Sequence, residues 1–319
     1  MTGICQAART LEPLTGPMPA ADSSARTHPF SAAVGNMLLA TFAFSIMNVF
    51  VKQLQRIPAM EIVFFRCLVS AAICFAGIAR ARVDWKGNNN LLLIARGSFG
   101  TLALFMFFVT VRNIPLATAV TIAYLSPIFT TLIGVFLLGE QVRPKQWLFY
   151  AIAFAGVLVI KGFDSSVPML YLFAGLVSAV GSGVAYNLVR RLKEREHPIV
   201  VVLHFQLVGV VAGLVFTVFN WVTPANLWEW FCLLMCGLLT QFGQTWLTKS
   251  LQAERIAHVS ILNYTGLIYA LAFGVFIFGE HYPAQTILGI ALVVVGVVLS
   301  VIYGKPKQLE VIEESEIAE

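Results

Sequence analysis

The chain has 319 residues, of which 58% are hydrophobic and only 12% charged, with a mean hydropathy of +0.82. Soluble domains carry about 25% charged residues, so this composition excludes an ordinary water-soluble globular protein and indicates a polytopic membrane protein. The net charge of +5 is spread over short loops between apolar runs, so it calls for no nucleic-acid partner.

Residues 1–30 hold Pro13, Pro17, Pro19 and Pro29 among small polar residues and lack the apolar core of a secretory signal. They read as a disordered cytoplasmic leader. Ten apolar runs follow, at about 31–52, 59–79, 91–110, 116–138, 145–161, 168–190, 199–220, 227–248, 256–278 and 283–303. Runs of roughly 17 to 25 residues cross the hydrocarbon core as helices, in which every backbone group is satisfied internally. Residues 304–319 carry Glu310, Glu313, Glu314, Glu316 and Glu319 and read as an acidic cytoplasmic tail. Cys232 and Cys236 share a helix face, but no His or carboxylate joins them at a ligand spacing, so no metal or other cofactor is expected.

The runs fall into two related units. Ala117, Tyr124, Ile128, Gly134, Phe136, Gly139, Glu140 and Gly156 recur 140 residues later as Ala257, Tyr264, Ile268, Gly274, Phe276, Gly279, Glu280 and Gly296. The units expected are 31–163 and 166–303, with five runs each. An odd number of crossings turns the second unit upside down relative to the first. With the N-terminus inside, sixteen Lys and Arg residues fall on the cytoplasmic side, Arg96 among them, against four outside (Lys52, Arg56, Arg112 and Lys161). Basic residues are retained in the cytoplasm. The expectation is an all-α polytopic membrane protein, ten transmembrane helices as two inverted five-helix repeats, in the cytoplasmic (inner) membrane with both termini cytoplasmic.

The segment Pro115-Leu-Ala-Thr-Ala-Val-Thr-Ile-Ala-Tyr-Leu-Ser-Pro127, followed by Leu137-Leu-Gly-Glu140 and the helix holding Gly156, resembles the EamA domain of the drug/metabolite transporter superfamily. A second copy keeps Phe278-Gly-Glu280 and Gly296 but has Leu267 where the first has Pro127. The resemblance covers residues 31 to 303 and implies a secondary-type transporter working by alternating access, as a monomer or homodimer. It does not specify the substrate or the direction. Both Glu140 and Glu280 follow helix C-termini, where the macrodipole disfavours an anion. Each needs a partner, Arg143 or the next helix for Glu140 and the helix beginning near Pro283 for Glu280.

Polar side chains in a span point inward, to another helix or to a watery cavity. Three single-face rows stand out: Thr41, Ser45, Asn48 and Lys52; Ser178, Ser182 and Tyr186 with Asn187 alongside; and Gln241, Gln244, Thr245 and Thr248. Arg66 lies inside the second run with no acid in its own span except Glu61 at the start, and a guanidinium there suits either an anionic substrate group or a backbone anchor. His204, near Gln206, is the candidate titrating group for proton coupling. The candidate substrate-binding residues are thus Asn48, Arg66, Tyr124, Tyr186, Asn187, His204, Gln206, Gln241, Gln244, Asn263 and Tyr264. They suit a small polar metabolite, amino-acid-like or nucleoside- or vitamin-like. Enzyme motifs such as His-Glu-x-x-His, Gly-x-Ser-x-Gly and Gly-x-x-x-x-Gly-Lys do not occur. A passive channel and a non-transporting membrane scaffold remain the alternatives.

Overall fold

The computed structural model describes residues 29–138, 142, 144–163, 167–192, 195–253 and 262–303. The leader to residue 28, the tail from 304, and Gly139, Glu140, Arg143 and Ala257 lie outside the described residues, as does the side chain of Thr248. The described residues form α-helices and short connections, with no strand among them. In chain order the helices are α1 (Pro29–Gln53), α2 (Ala59–Ala81), α3 (Asn90–Asn113), α4 (Leu116–Ala123), α5 (Ser126–Leu138) and α6 (Pro144–Phe163). The second unit holds α7 (Met169–Leu192), α8 (Pro198–Phe219), α9 (Leu227–Ala253), α10 (Thr265–Phe278) and α11 (Ala284–Ile302).

Local chemistry sets the helix starts. Pro58, Pro115 and Pro283 precede α2, α4 and α11, where a missing N–H costs nothing, while the Asn89 side chain accepts from Leu92 N to cap α3. Among the described residues, eight spans are long and apolar enough to cross a bilayer, with α4 and α5 counting together as one. The runs expected at 227–248 and 256–278 correspond to α9, whose hydropathy is lowered by its polar row, and to α10, an apolar helix of 14 residues. Phe136 and its repeat mate Phe276 are 88% and 86% exposed, as side chains facing lipid tails should be.

One expected run is not continuous. The chain breaks between α4 and α5 at Tyr124–Leu125, because Pro127 has no N–H to donate to Ala123 and its ring crowds that carbonyl. The equivalent place in the second unit, Asn263–Tyr264, is also a turn, opening α10, although Leu267 stands at the proline position. Interrupted helices at matching places free backbone groups only where a cavity or neighbouring helices can satisfy them.

The packing is unchanged by exchanging the units. α1 lies on α9 as α7 lies on α3, α2 pairs with α8, α6 with α11, and α4 with α10. The relation is antiparallel. Loops after α1, α3, α8 and α10 meet at one end, where Arg56 reaches Thr223 O and Glu229, Gln55 and Arg112 exchange bonds through each other's carbonyls, and Lys52 reaches Glu280. Loops after α2 and α7 meet at the other, where Glu196 accepts from Asn88 N and Asn89 N. The α6–α11 pair crosses on glycine: a Cβ at Gly156 would sit 2.6 Å from Gly289 O, and one at Gly289 2.7 Å from Gly156 O. Only glycine permits that approach.

Candidate functional site

Between the two units lies a cavity of about 330 Å³, lined by α1, α2, α3, both halves of the broken α4–α5 helix, α7, α8, α9 and the start of α10. The paired helices α6 and α11 contribute nothing to it. Two of the three polar rows enter as their 3.6-residue period requires. Thr41, Ser45 and Asn48 of α1 line one part of the wall, and Ser178, Ser182 and Tyr186 of α7 another. Thr41 and Ser45 bond to carbonyls one turn back and touch α10 through Thr265 Oγ1 and Gly266 O. Asn48 is 7% exposed, and its Oδ1 accepts no hydrogen bond.

The strongest charges in the cavity are two guanidinium groups. Arg66 of α2 is 4% exposed, and its Nε donates to Thr240 Oγ1 of α9 at 2.9 Å. Arg96 of α3 lies with its Cζ 4.2 Å from the centroid of the Phe205 ring, and Arg66 Cζ is 5.8 Å from the same ring. A Cβ at Gly100 would press on Phe205 at 3.0 Å, so glycine there gives the ring its place. Nε and Nη1 of Arg96 are buried without a hydrogen-bond partner. Among the described residues no carboxylate lines the cavity. Each arginine in a span costs about 2.5 to 3.5 kcal/mol on insertion scales, so an uncompensated pair is held at a large expense in stability.

The structure distributes the eleven candidate residues over different surroundings. Of the eleven candidates, Asn48, Arg66, Tyr124, Tyr186, Gln244 and Asn263 line the cavity and five do not. Asn187 is fully buried and donates Nδ2 to Thr130 O and Gly183 O, tying α7 to α5; one step along a helix turns a side chain about 100°, away from the wall that Tyr186 occupies. His204 Nδ1 lies 2.9 Å from Val200 O on its own helix. Gln206, the repeat mate of Arg66, is wholly buried outside the cavity, and its amide has no partner. Gln241 accepts from the Cys74 thiol at 3.6 Å, so the α9 row divides, and among its described side chains only Gln244 reaches the cavity. Tyr264 stands behind Tyr124, edge to face at 4.9 Å between centroids, while Tyr124 OH donates to Asn263 O.

Arg96 and Phe205 line the cavity without being among the sequence candidates. Arg96 counts with the cytoplasmic loop charges by sequence position, yet it lies six residues into the third run, and that depth is the available signal. Phe205 carries no sequence mark that separates it from other core phenylalanines.

One helical turn beyond Asn48, Lys52 ties the two units together. Lys52 Nζ pairs with Glu280 Oε1 at 2.6 Å and donates to Ile114 O at 2.6 Å. Glu280 also accepts from Leu116 N at 2.8 Å and from the Tyr282 hydroxyl, whose oxygen in turn accepts from Ala117 N. The partner of Glu280 is therefore the N-terminus of α4, in the other unit, and not the helix that follows at Pro283. The positive end of α4 and the Lys52 ammonium offset the unfavourable C-terminal position of the carboxylate. This latch joins α1, α4 and the α10–α11 turn.

Comparison with known proteins places these features in a family. The EamA-like transporter family pattern matches twice, at residues 31–162 and 169–302. The pseudopaline exporter CntI of Pseudomonas aeruginosa is 33% identical over 260 residues, covering 81% of this chain and 92% of its own. Human solute carrier family 35 member G1 is 26% identical over 275 residues, 81% of this chain and 75% of that one. The S-adenosylmethionine uptake transporter of Rickettsia prowazekii is 22% identical over 286 residues, 88% and 95% respectively. A protein of known crystal structure shares the fold with a TM-score of 0.61 over 88% of this chain and 99% of its own, at 20% identity.

Proposed function

The chain belongs to the EamA-like transporter family, a membrane transporter, and from that premise we propose that it carries a small polar metabolite with an anionic group by alternating access. The observation that carries this reading is the central cavity between inverted units, with Arg66 and Arg96 on one side and no carboxylate among its described lining residues. Arg66, Arg96 and Gln244 hold the polar groups of the substrate, Asn48 Oδ1 accepts an N–H, and Tyr124, Tyr186 and Phe205 contact its apolar part. The Lys52–Glu280 latch closes one end and parts when the units rock. The relatives include one named as an exporter and one as an uptake transporter, which leaves direction to the substrate gradient and the membrane potential. The chain lies in the cytoplasmic membrane with both termini inside: with Arg96 moved into a span, the basic excess still favours that orientation.

A passive channel would expose both ends of the cavity at once. Single cysteines replacing Asn48 and Tyr186, in a background without the native cysteines, distinguish the two by labelling with an impermeant maleimide from each side. A carrier gives reactivity at the two positions that shifts in opposite senses when the substrate gradient is reversed. Simultaneous reactivity from both sides, or reactivity indifferent to the gradient, overturns the carrier.

A further inference from the structure

We propose that the substrate is a dicarboxylate, with two separate carboxylates joined by a short apolar spacer, one for Arg66 and one for Arg96. The inference rests on the carrier reading and specifies the charge and shape of its cargo. Both guanidinium carbons lie over one ring, at 5.8 and 4.2 Å from the Phe205 centroid, so they are no more than about 10 Å apart. Two fixed positive charges at that distance in a cavity of low dielectric repel each other and have lost much of their hydration. Neither meets a carboxylate of the protein among the described residues. Arg66 spends Nε on Thr240, while Arg96 has two nitrogens buried with no acceptor at all.

A single carboxylate brings one negative charge to two positive ones and leaves the desolvated site with a net charge of +1, which is costly. A cation is repelled by both. Two carboxylates remove the net charge of the site and supply acceptors for the free nitrogens of Arg96. The Phe205 ring, in contact with both guanidinium groups and 7% exposed, presents apolar surface to whatever joins them. One phosphate gathers its charge on a single centre and leaves the apolar face of Phe205 between the two guanidinium groups without a partner. Both arginines belong to the first unit: their repeat mates are Gln206 and Cys236, neither of which lines the cavity. The clasp is therefore a departure from the duplication and not part of the shared scaffold.

The test begins with untargeted mass spectrometry of cells and medium, comparing cells lacking the gene with cells in which it is restored as the parent or as the Arg66→Gln/Arg96→Gln double variant. The expected result is one or more compounds with at least two carboxylates whose distribution changes with the parent and not with the double variant. A changed compound with one anionic group, a lone phosphate or a net positive charge overturns the dicarboxylate while leaving a carrier in place. No changed compound at all counts against the carrier reading itself, and the dicarboxylate falls with it. The recovered compound and its two monomethyl esters then serve as probes for counterflow in vesicles containing the purified protein. The parent should prefer the diacid over either ester by about 10- to 100-fold, the loss expected for one charge-assisted contact. In Arg66→Gln one ester, and in Arg96→Gln the other, should approach parity with the diacid, with each variant eluting from a sizing column as the parent does. An unchanged preference in both variants overturns the clasp.

Discussion

Replacing Glu280 by Gln removes one negative charge from the latch and keeps its shape. In the sealed arrangement the carboxylate holds Lys52 Nζ at 2.6 Å and Leu116 N at 2.8 Å, and the side chains of Lys52 and Glu280 are only 12% and 11% exposed. Removing one partner of so buried a pair costs about 3 to 5 kcal/mol, because the remaining ammonium is left uncompensated. The glutamine oxygen still accepts from Leu116 N, so the lower figure applies. Parting the units hydrates both groups, so the cost falls on the sealed state alone. At 1.4 kcal/mol per tenfold, about 3 kcal/mol shifts the balance toward the open state by about two orders of magnitude. The assay is the rate at which an impermeant maleimide, added on the Lys52 side, modifies Asn48→Cys in the cysteine-free background. The rate should rise by up to about 100-fold in Glu280→Gln. Adding Lys52→Met should return much of it, since the orphaned charge is gone and the two sites are coupled. A rate within twofold of the parent would refute the argument that this ion pair closes the cavity.

Three further outcomes follow from the same geometry. Gly156→Val should abolish the α6–α11 contact, because its Cβ would meet Gly289 O at 2.6 Å with backbone on both sides; the expected effect is a loss of folded protein on a sizing column exceeding the about 1 to 3 kcal/mol typical of overpacking. His204→Gln should leave the pH profile of transport unchanged, since the ring faces Val200 O outside the cavity, and a shifted profile in vesicles would restore proton coupling to this residue. Uncompensated movement of a dianion should respond to voltage with twice the slope of a monoanion. At about 2.3 kcal/mol per charge per 100 mV, each 100 mV would change the equilibrium gradient about 2,000-fold, which potassium-diffusion potentials in vesicles can measure.

Much of the fold was legible because a bilayer imposes one-dimensional rules. Apolar run length marked the helices, eight of which among the described residues are long and apolar enough to cross, and the spacing of 140 residues gave the repeat, whose antiparallel relation the shared loop ends of the structure bear out. The rows on α1 and α7 were legible for the same reason, since a polar stripe at helical period has to turn away from lipid. Arg66 was conspicuous as a charge within an apolar run.

What the sequence by itself determined, then, is which segments cross, how they repeat and which faces are polar, because these follow from local period and from the cost of polar groups in hydrocarbon. Tertiary structure alone decided which polar groups meet. Glu280 finds the N-terminus of α4 and Lys52, from a different unit of the chain, and no local rule connects them. Tyr186 and Asn187 are neighbours in sequence with opposite fates, because Thr130 O on α5 takes the asparagine. By position in the sequence Arg96 counts with the loop cations, and only the packing of α3 against α8 brings it over Phe205, beside the ring that Arg66 also approaches. Side-chain partners in a helical bundle depend on the rotation and depth of whole helices against one another, and those are fixed only when all the helices pack together.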